Sequence, residues 1–175
     1  ESRMFQMVDL SSGSAPALDV AEGATALLSN SSVSGAGGSA AIVNRGDLQA
    51  RFSSLEGIFV PAVHTDPGAV TTVGASRLTR YTYFIRAIIE DAVGASCTGA
   101  MPTSAGHNRV QNDTCDLTGP GDVQGVDQPW VDLVPPGVLG CGEAYHFDIG
   151  GRTRPADGDF DGTSACDAGP IEQGS

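Results

Sequence analysis

The chain has 175 residues, a length that fits one domain and is enough to bury a real core. Its formal net charge is −12, and all 9 Lys+Arg residues are arginines. Such a surface repels phosphate backbones, and the missing lysine excludes Schiff-base chemistry and a P-loop. Apolar residues make up 40% but aromatics only 6%, so the core is built from small aliphatics, while 24 glycines and 10 prolines imply many turns. Apart from 53–56 and 86–95, no stretch carries an apolar 3.6-residue period, which predicts an all-β, turn-dense protein.

From the N-terminus, SSVSG at 31–35 returns as SSLEG at 53–57, an offset of 22. At that offset Val20 falls on Ile42, Ala26 on Leu48 and Leu28 on Ala50; Leu10 precedes Val33 by 23, as Phe5 precedes Leu28. A third copy is expected in YTYFIRAII at 81–89, with Leu55 on Ile88, Phe52 on Ile85, Ala50 on Tyr83 and Leu48 on Tyr81. The extra length would be a Pro/Gly loop at 60–74.

A period of 22 or 23 with alternating small apolar residues fits the coil of a parallel β-solenoid. Leu10, Val33, Leu55 and Ile88 would form one internal ladder, and Phe5, Leu28, Ala50 and Tyr83 another. The competing architecture is a Ser/Gly-rich β-sandwich. Nothing before Phe5 reads as a cap, and an open solenoid end exposes strand edges. Phe5, Met7 and Leu10 therefore mark an expected assembly edge, covered by earlier coils or by another chain. No signal peptide or membrane-spanning run is present, so the chain reads as a mature protein or a fragment. The sequons at Asn30 and Asn112 matter only in a eukaryotic secretory pathway.

Cysteines stand at 97, 115, 141 and 166 with no CxxC, so a zinc site is disfavoured and disulfides in an oxidising compartment are expected. Four cysteines allow three connectivities, and the spacing alone does not choose.

Several segments then resemble one family in order. NRGDLQARFSSLEG (44–57) is similar to its coil pattern, and YFIRAIIEDAVGASCTG (83–99) looks like its last coil followed by a cysteine. Gly106, Asn108, Cys115, Leu117 to Gly119, Gly121, Asp122 and Gly125 to Asp127 match a G-x-N, cysteine, LTG, GD-x-x-GVD stretch. Asp148, Gly151, Arg154, Pro155 and DGDFDGTSACDAGPIE resemble its ending, although Ala168, Pro170 and Ile171 depart from the usual close. The chain thus resembles the choice-of-anchor Q domain of CSLREP-type proteins, distantly like chlamydial polymorphic outer-membrane proteins. The resemblance implies a right-handed parallel β-helix over 1–95 with a disulfide-stapled, loop-rich C-terminal cap over 96–175. It further implies a secreted or surface-exposed, non-enzymatic module of a Gram-negative-type bacterium, with Cys97 joined to Cys115 and Cys141 to Cys166.

In DGDFDG, Asp157, Asp159 and Asp161 occupy positions 1, 3 and 5 of a calcium-loop pattern, with Gly162 at the turn. Thr163 would add a backbone carbonyl. Position 12 is Ala168, so Asp167 is the expected substitute, and the ion would be structural calcium. Catalysis finds less support. His64, His107 and His146 lie in three separate loops with no i, i+4 pair. A polysaccharide lyase or hydrolase would have to use Arg77, Arg80, Arg86 and Asp91, remote in sequence from the acidic loop. Trp130 reads as a loop plug rather than a sugar platform. The reading is a structural module that stacks or docks on protein partners, its own copies or others; the alternative is a glycan-binding or adhesin module.

Overall fold

The computed structural model describes residues 2–6, 9–84, 87–89, 96–110, 113–125 and 131–173, with side chains placed at 10–78 and, within those ranges, from 96 onward. Each turn of the chain contributes one short strand to each of three sheets. The first coil is β1 (Ser2–Gln6), β2 (Asp9–Ser12) and β3 (Leu18–Val20). The second is β4 (Thr25–Ser29), β5 (Ser32–Gly35) and β6 (Ile42–Asn44), and the third β7 (Asp47–Arg51), β8 (Ser54–Ile58) and β9 (Val63–Thr65). The fourth, β10 (Val70–Gly74) and β11 (Arg77–Phe84), is interrupted by β12 (Ala87–Ile89) before β13 (Cys97–Gly99). β14 (Thr103–Gly106), β15 (Arg109–Val110) and β16 (Val123–Gln124) follow. The sheets run β1-β4-β7-β10-β14, β2-β5-β8-β11-β15-β16 and β3-β6-β9-β13. Every rung is parallel except β11–β12. The protein is an all-β parallel β-solenoid, not a sandwich.

The interior is a set of columns. Leu10, Val33, Leu55, Leu78 and Val110 are in register along one sheet, and Phe5, Leu28, Ala50 and Val73 along the next. Leu18, Ile42, Val63 and Cys97 form the third. Leu28, Val33, Ile42, Leu48, Leu55, Val63, Val73 and Leu78 are fully buried.

These registers correct the expected third copy. Leu55 pairs with Leu78 and Ala50 with Val73, so Ile88 and Tyr83 are not the ladder partners. Segment 60–74 is not a loop: it holds β9 and β10. Its Pro67-Gly68 occupies the turn that Glu22-Gly23 and Arg45-Gly46 occupy in earlier coils, outside the hydrogen-bonded rungs, where proline does no harm. The true insertion is the hairpin in which β12 folds back on β11. Val20 pairs with Asn44 rather than Ile42, because the loop after β5 shifts that register. The helical period at 53–56 yields to strand β8, whose Leu55 must face the interior. Parallel rungs also continue past 95 to Gln124, so the coil stack reaches well into the segment expected to be only a cap.

One corner of the solenoid has a left-handed residue in four successive coils, from the second onward: Asn30, Phe52, Ala75 and His107 with φ of 53°, 47°, 49° and 56°. Each sends its N–H to the next coil, to Arg51, Gly74, Gly106 and Pro120 carbonyls. The following residue closes the corner. Ser31 N–H donates to Ser53 Oγ, Ser53 N–H to Ser76 Oγ, and Ser76 N–H to Asn108 Oδ1. The hydroxyls of Ser31, Ser53 and Ser76 donate in turn to the carbonyls of Ser29, Arg51 and Gly74, so the buried turn leaves these amides and carbonyls satisfied. This ladder is why serine repeats with the apolar positions.

Residues 131–173 form a strap along this same corner. Tyr145 receives a hydrogen bond from Ser29 Oγ and packs on Phe52 with ring centroids 4.6 Å apart. Asn30 Nδ2 donates to the Phe147 carbonyl, Gly169 N–H to the Ala75 carbonyl, and His107 Nδ1 meets the Leu133 carbonyl. Asn30 is therefore buried, and the folded chain does not present that sequon; Asn112 lies outside the described residues. Two disulfides, Cys97–Cys115 and Cys141–Cys166, pin the C-terminal region. The first carries buried Cys115 and Leu117 into the interior column beyond Val110; the second sits with Phe52, Ala75 and Val134 beneath the strap.

Candidate metal centre and the buried charges of the strap

The strap has few apolar residues to bury, and charge holds much of it in place. Arg154 is fully buried, with its guanidinium 4.8 Å above the Phe52 ring. Nη2 donates to the Gly169 carbonyl at 2.7 Å, and Nε lies 3.2 Å from Glu172 Oε2, an ion-pair distance but off the line of a hydrogen bond. Burial lowers the pKa of Arg154, against the pull of Glu172, Asp148 and Asp167.

Those three buried carboxylates organise the backbone. Asp167 accepts from the N–H groups of Asp132 and Gln173, and Glu172 from those of Ala156 and Asp167. Asp148 accepts from Arg152 and Glu172 N–H. Burial pushes Asp167 up to about 6 and Glu172 to about 7, despite these amides and Arg154. One cation and three acids out of water form a knot tying segments 148–156 and 167–173 together.

The acidic loop lies beside this knot. One carboxylate oxygen from each of Asp132, Asp157 and Asp159 falls within 4.8 Å of the others. Calcium–oxygen distances are about 2.3–2.6 Å, so oxygens across one ion stand up to about 5 Å apart, and the three fit a common centre. Asp132 Oδ2 accepts the N–H groups of Gly158 and Asp159, both at 2.9 Å, which fixes the loop. Asp132 Oδ1 and Asp157 Oδ1 are buried with no hydrogen-bond partner among the described residues. Burial first, and then the charges of Asp159 and Asp157, raise the pKa of Asp132.

Of the expected ligands, Asp157 and Asp159 are brought together, whereas Asp161 and Asp167 are not in the cluster. Asp161 Oδ1 receives the Thr163 N–H, and both oxygens of Asp167 are taken by amides. The backbone departs from an EF-hand path because Ala156 and Ala165 bridge the base of the loop, and Val134 bridges Cys166. Those bridges and the Cys141–Cys166 disulfide deliver Asp132, a residue with no local motif, in place of the later positions.

The remaining candidates do not converge. His64 is held between Thr98 Oγ1 and Asp66 Oδ1, each at 2.9 Å; His107 sits on a corner turn beneath the strap, against the Leu133 carbonyl, and His146 is exposed. Arg77 lies on β11, while Met7, Arg86, Asp91 and Trp130, with the side chains of Phe5 and Arg80, fall outside the described residues. Leu10 is half-buried at the rim of the interior. The three sheets all end at the first coil: β1, β2 and β3 each pair on one side only among the described residues.

No family model, curated protein or solved structure matches the chain.

Proposed function

We propose that this chain is a non-enzymatic structural module of a bacterial surface or extracellular protein, docking through its first coil onto further protein. The observation that carries this is the shared ending of three parallel sheets at β1, β2 and β3. Their outer edges offer N–H and C=O groups in the spacing that another parallel rung would take. The two disulfides favour an oxidising compartment, and the resemblance to choice-of-anchor Q domains favours the surface of a Gram-negative-type bacterium. Rungs that mate edge to edge need no catalytic group.

Association measured by light scattering and electron microscopy tests the docking. The chain should self-associate or capture a β-helical partner, and Leu10→Lys, which sets a charge on the rim, should weaken that. A chain that stays monomeric up to high concentration and captures no coil would overturn the reading.

Calcium at Asp132, Asp157 and Asp159 completes the proposal. The ion would tie the loop to the start of the strap and relieve repulsion among three carboxylates. Millimolar calcium should raise the melting midpoint relative to EDTA, and Asp132→Asn should remove the increment. No calorimetric heat and no thermal shift in calcium would dispose of the ion.

A further inference from the structure

Phe160 sits at the tip of the acidic loop with φ of 62° and 76% of its surface exposed. A bulky residue in the left-handed region is conformationally costly, and an exposed ring gains nothing from burial to offset it. The loop nevertheless holds it there firmly. Gly158 and Asp159 N–H donate to Asp132, Asp161 N–H to Asp159, Gly162 N–H to Asp157, and Thr163 N–H to Asp161. Five backbone amides are thus tied by carboxylates around one outward ring. A hydrophobic group preorganised toward solvent is an anchor for something that stacks on it.

What it faces narrows the ligand. Phe160 borders an open cavity of about 760 Å³, within the roughly 300–1,000 Å³ of small-molecule sites. The other walls are mixed: Arg152, Thr153, Asp157, Ser164 and the buried Glu172 supply polar groups, with Pro155 and Ala156 between them. Arg152 is steadied by its Nη1, which donates to the Glu172 carbonyl at 2.7 Å. A protein anchor site has a broad apolar centre, whereas here the small Pro155 and Ala156 are flanked by charged and hydroxyl groups. A polyanion would meet Asp157, Asp159 and Asp161 on a surface of net charge −12. One aromatic face beside a carboxylate, a guanidinium and two hydroxyls suits a ring with an apolar C–H face and hydroxyls at its edge.

We propose that the cavity between Phe160 and Arg152 binds a neutral oligosaccharide, with the sugar ring stacked on Phe160 and its hydroxyls on Thr153, Ser164 and Arg152. This binding is independent of the docking edge, which lies on the first coil.

Isothermal titration of the full chain with maltohexaose, cellohexaose and chitohexaose tests it, with polygalacturonate as the polyanion. At least one neutral hexamer should bind. Phe160→Ala should weaken it by about tenfold or more without moving the melting midpoint, and Phe160→Tyr should restore it. No heat from any neutral hexamer at millimolar concentration overturns the proposal. So does binding unchanged by Phe160→Ala, or preference for polygalacturonate. Loss of self-association in Phe160→Ala, seen by sedimentation, would assign the ring to a protein contact instead.

Discussion

The coil stack and the strap are held by different physics. In the coils each residue meets the equivalent residue of the next turn: Leu55 lies between Val33 and Leu78, and Ser53 between Ser31 and Ser76. Like contacts like, and one solution to backbone satisfaction is copied up the corner. The strap has no such neighbours. Its pairs join unlike residues at irregular separations, from Asp148 with Arg152 to Arg154 with Gly169, and it buries Asp148, Asp167 and Glu172 where the coils bury leucine and valine. Periodic regions distribute stability over many equivalent rungs; the strap concentrates it in one guanidinium and one disulfide.

Arg154→Met should break this contrast most sharply. Removing the cation leaves buried carboxylates uncompensated, a loss of about 3–5 kcal/mol confined to the strap. Circular dichroism should show the β-solenoid retained while proteolysis opens 131–173. Leu55→Ala probes the other region, costing about 2–5 kcal/mol through a cavity in the central column and lowering the melting midpoint of the whole stack. Replacing both Cys141 and Cys166 by alanine opens a loop of sequence separation 25 and should cost about 3 kcal/mol by loop entropy. Differential scanning calorimetry should assign that loss to the strap.

The smallest effect is that of pH. Asp167 and Glu172 titrate at about 6 and about 7 in the fold, above their ordinary 3.8 and 4.5, so between those values the folded state binds more protons than the unfolded chain. Their contribution is fully present below the ordinary values and is lost as pH rises through about 6 and about 7. The strap should be more resistant to urea at pH 5 than at pH 8. Equal midpoints would place these carboxylates in a wetter environment than the structure does.

Legibility followed the same division. Leu10, Val33 and Leu55 share a register the bare sequence displays, because their neighbours in space are copies at a fixed offset. The misreading at 60–74 came from Pro67 and Gly68, which look like a loop yet occupy the turn of Arg45-Gly46. The hairpin at β11–β12 then drew the apolar pattern of 81–89 away from Leu78. In the strap, DGDFDG pointed to Asp157 and Asp159 through local spacing. Asp132 carried no signal, since long-range bridges and a disulfide place it there. Nothing in the spacing of Arg154 and Glu172 announced a buried pair.

Hydrogen exchange followed by mass spectrometry across a concentration series compares both regions at once. Docking through the first coil predicts that amides of 2–12 gain protection as concentration or partner rises, while those of 131–173 stay unchanged. Amides at 2–12 that exchange freely at every concentration, or protection gained at the strap instead, would contradict it.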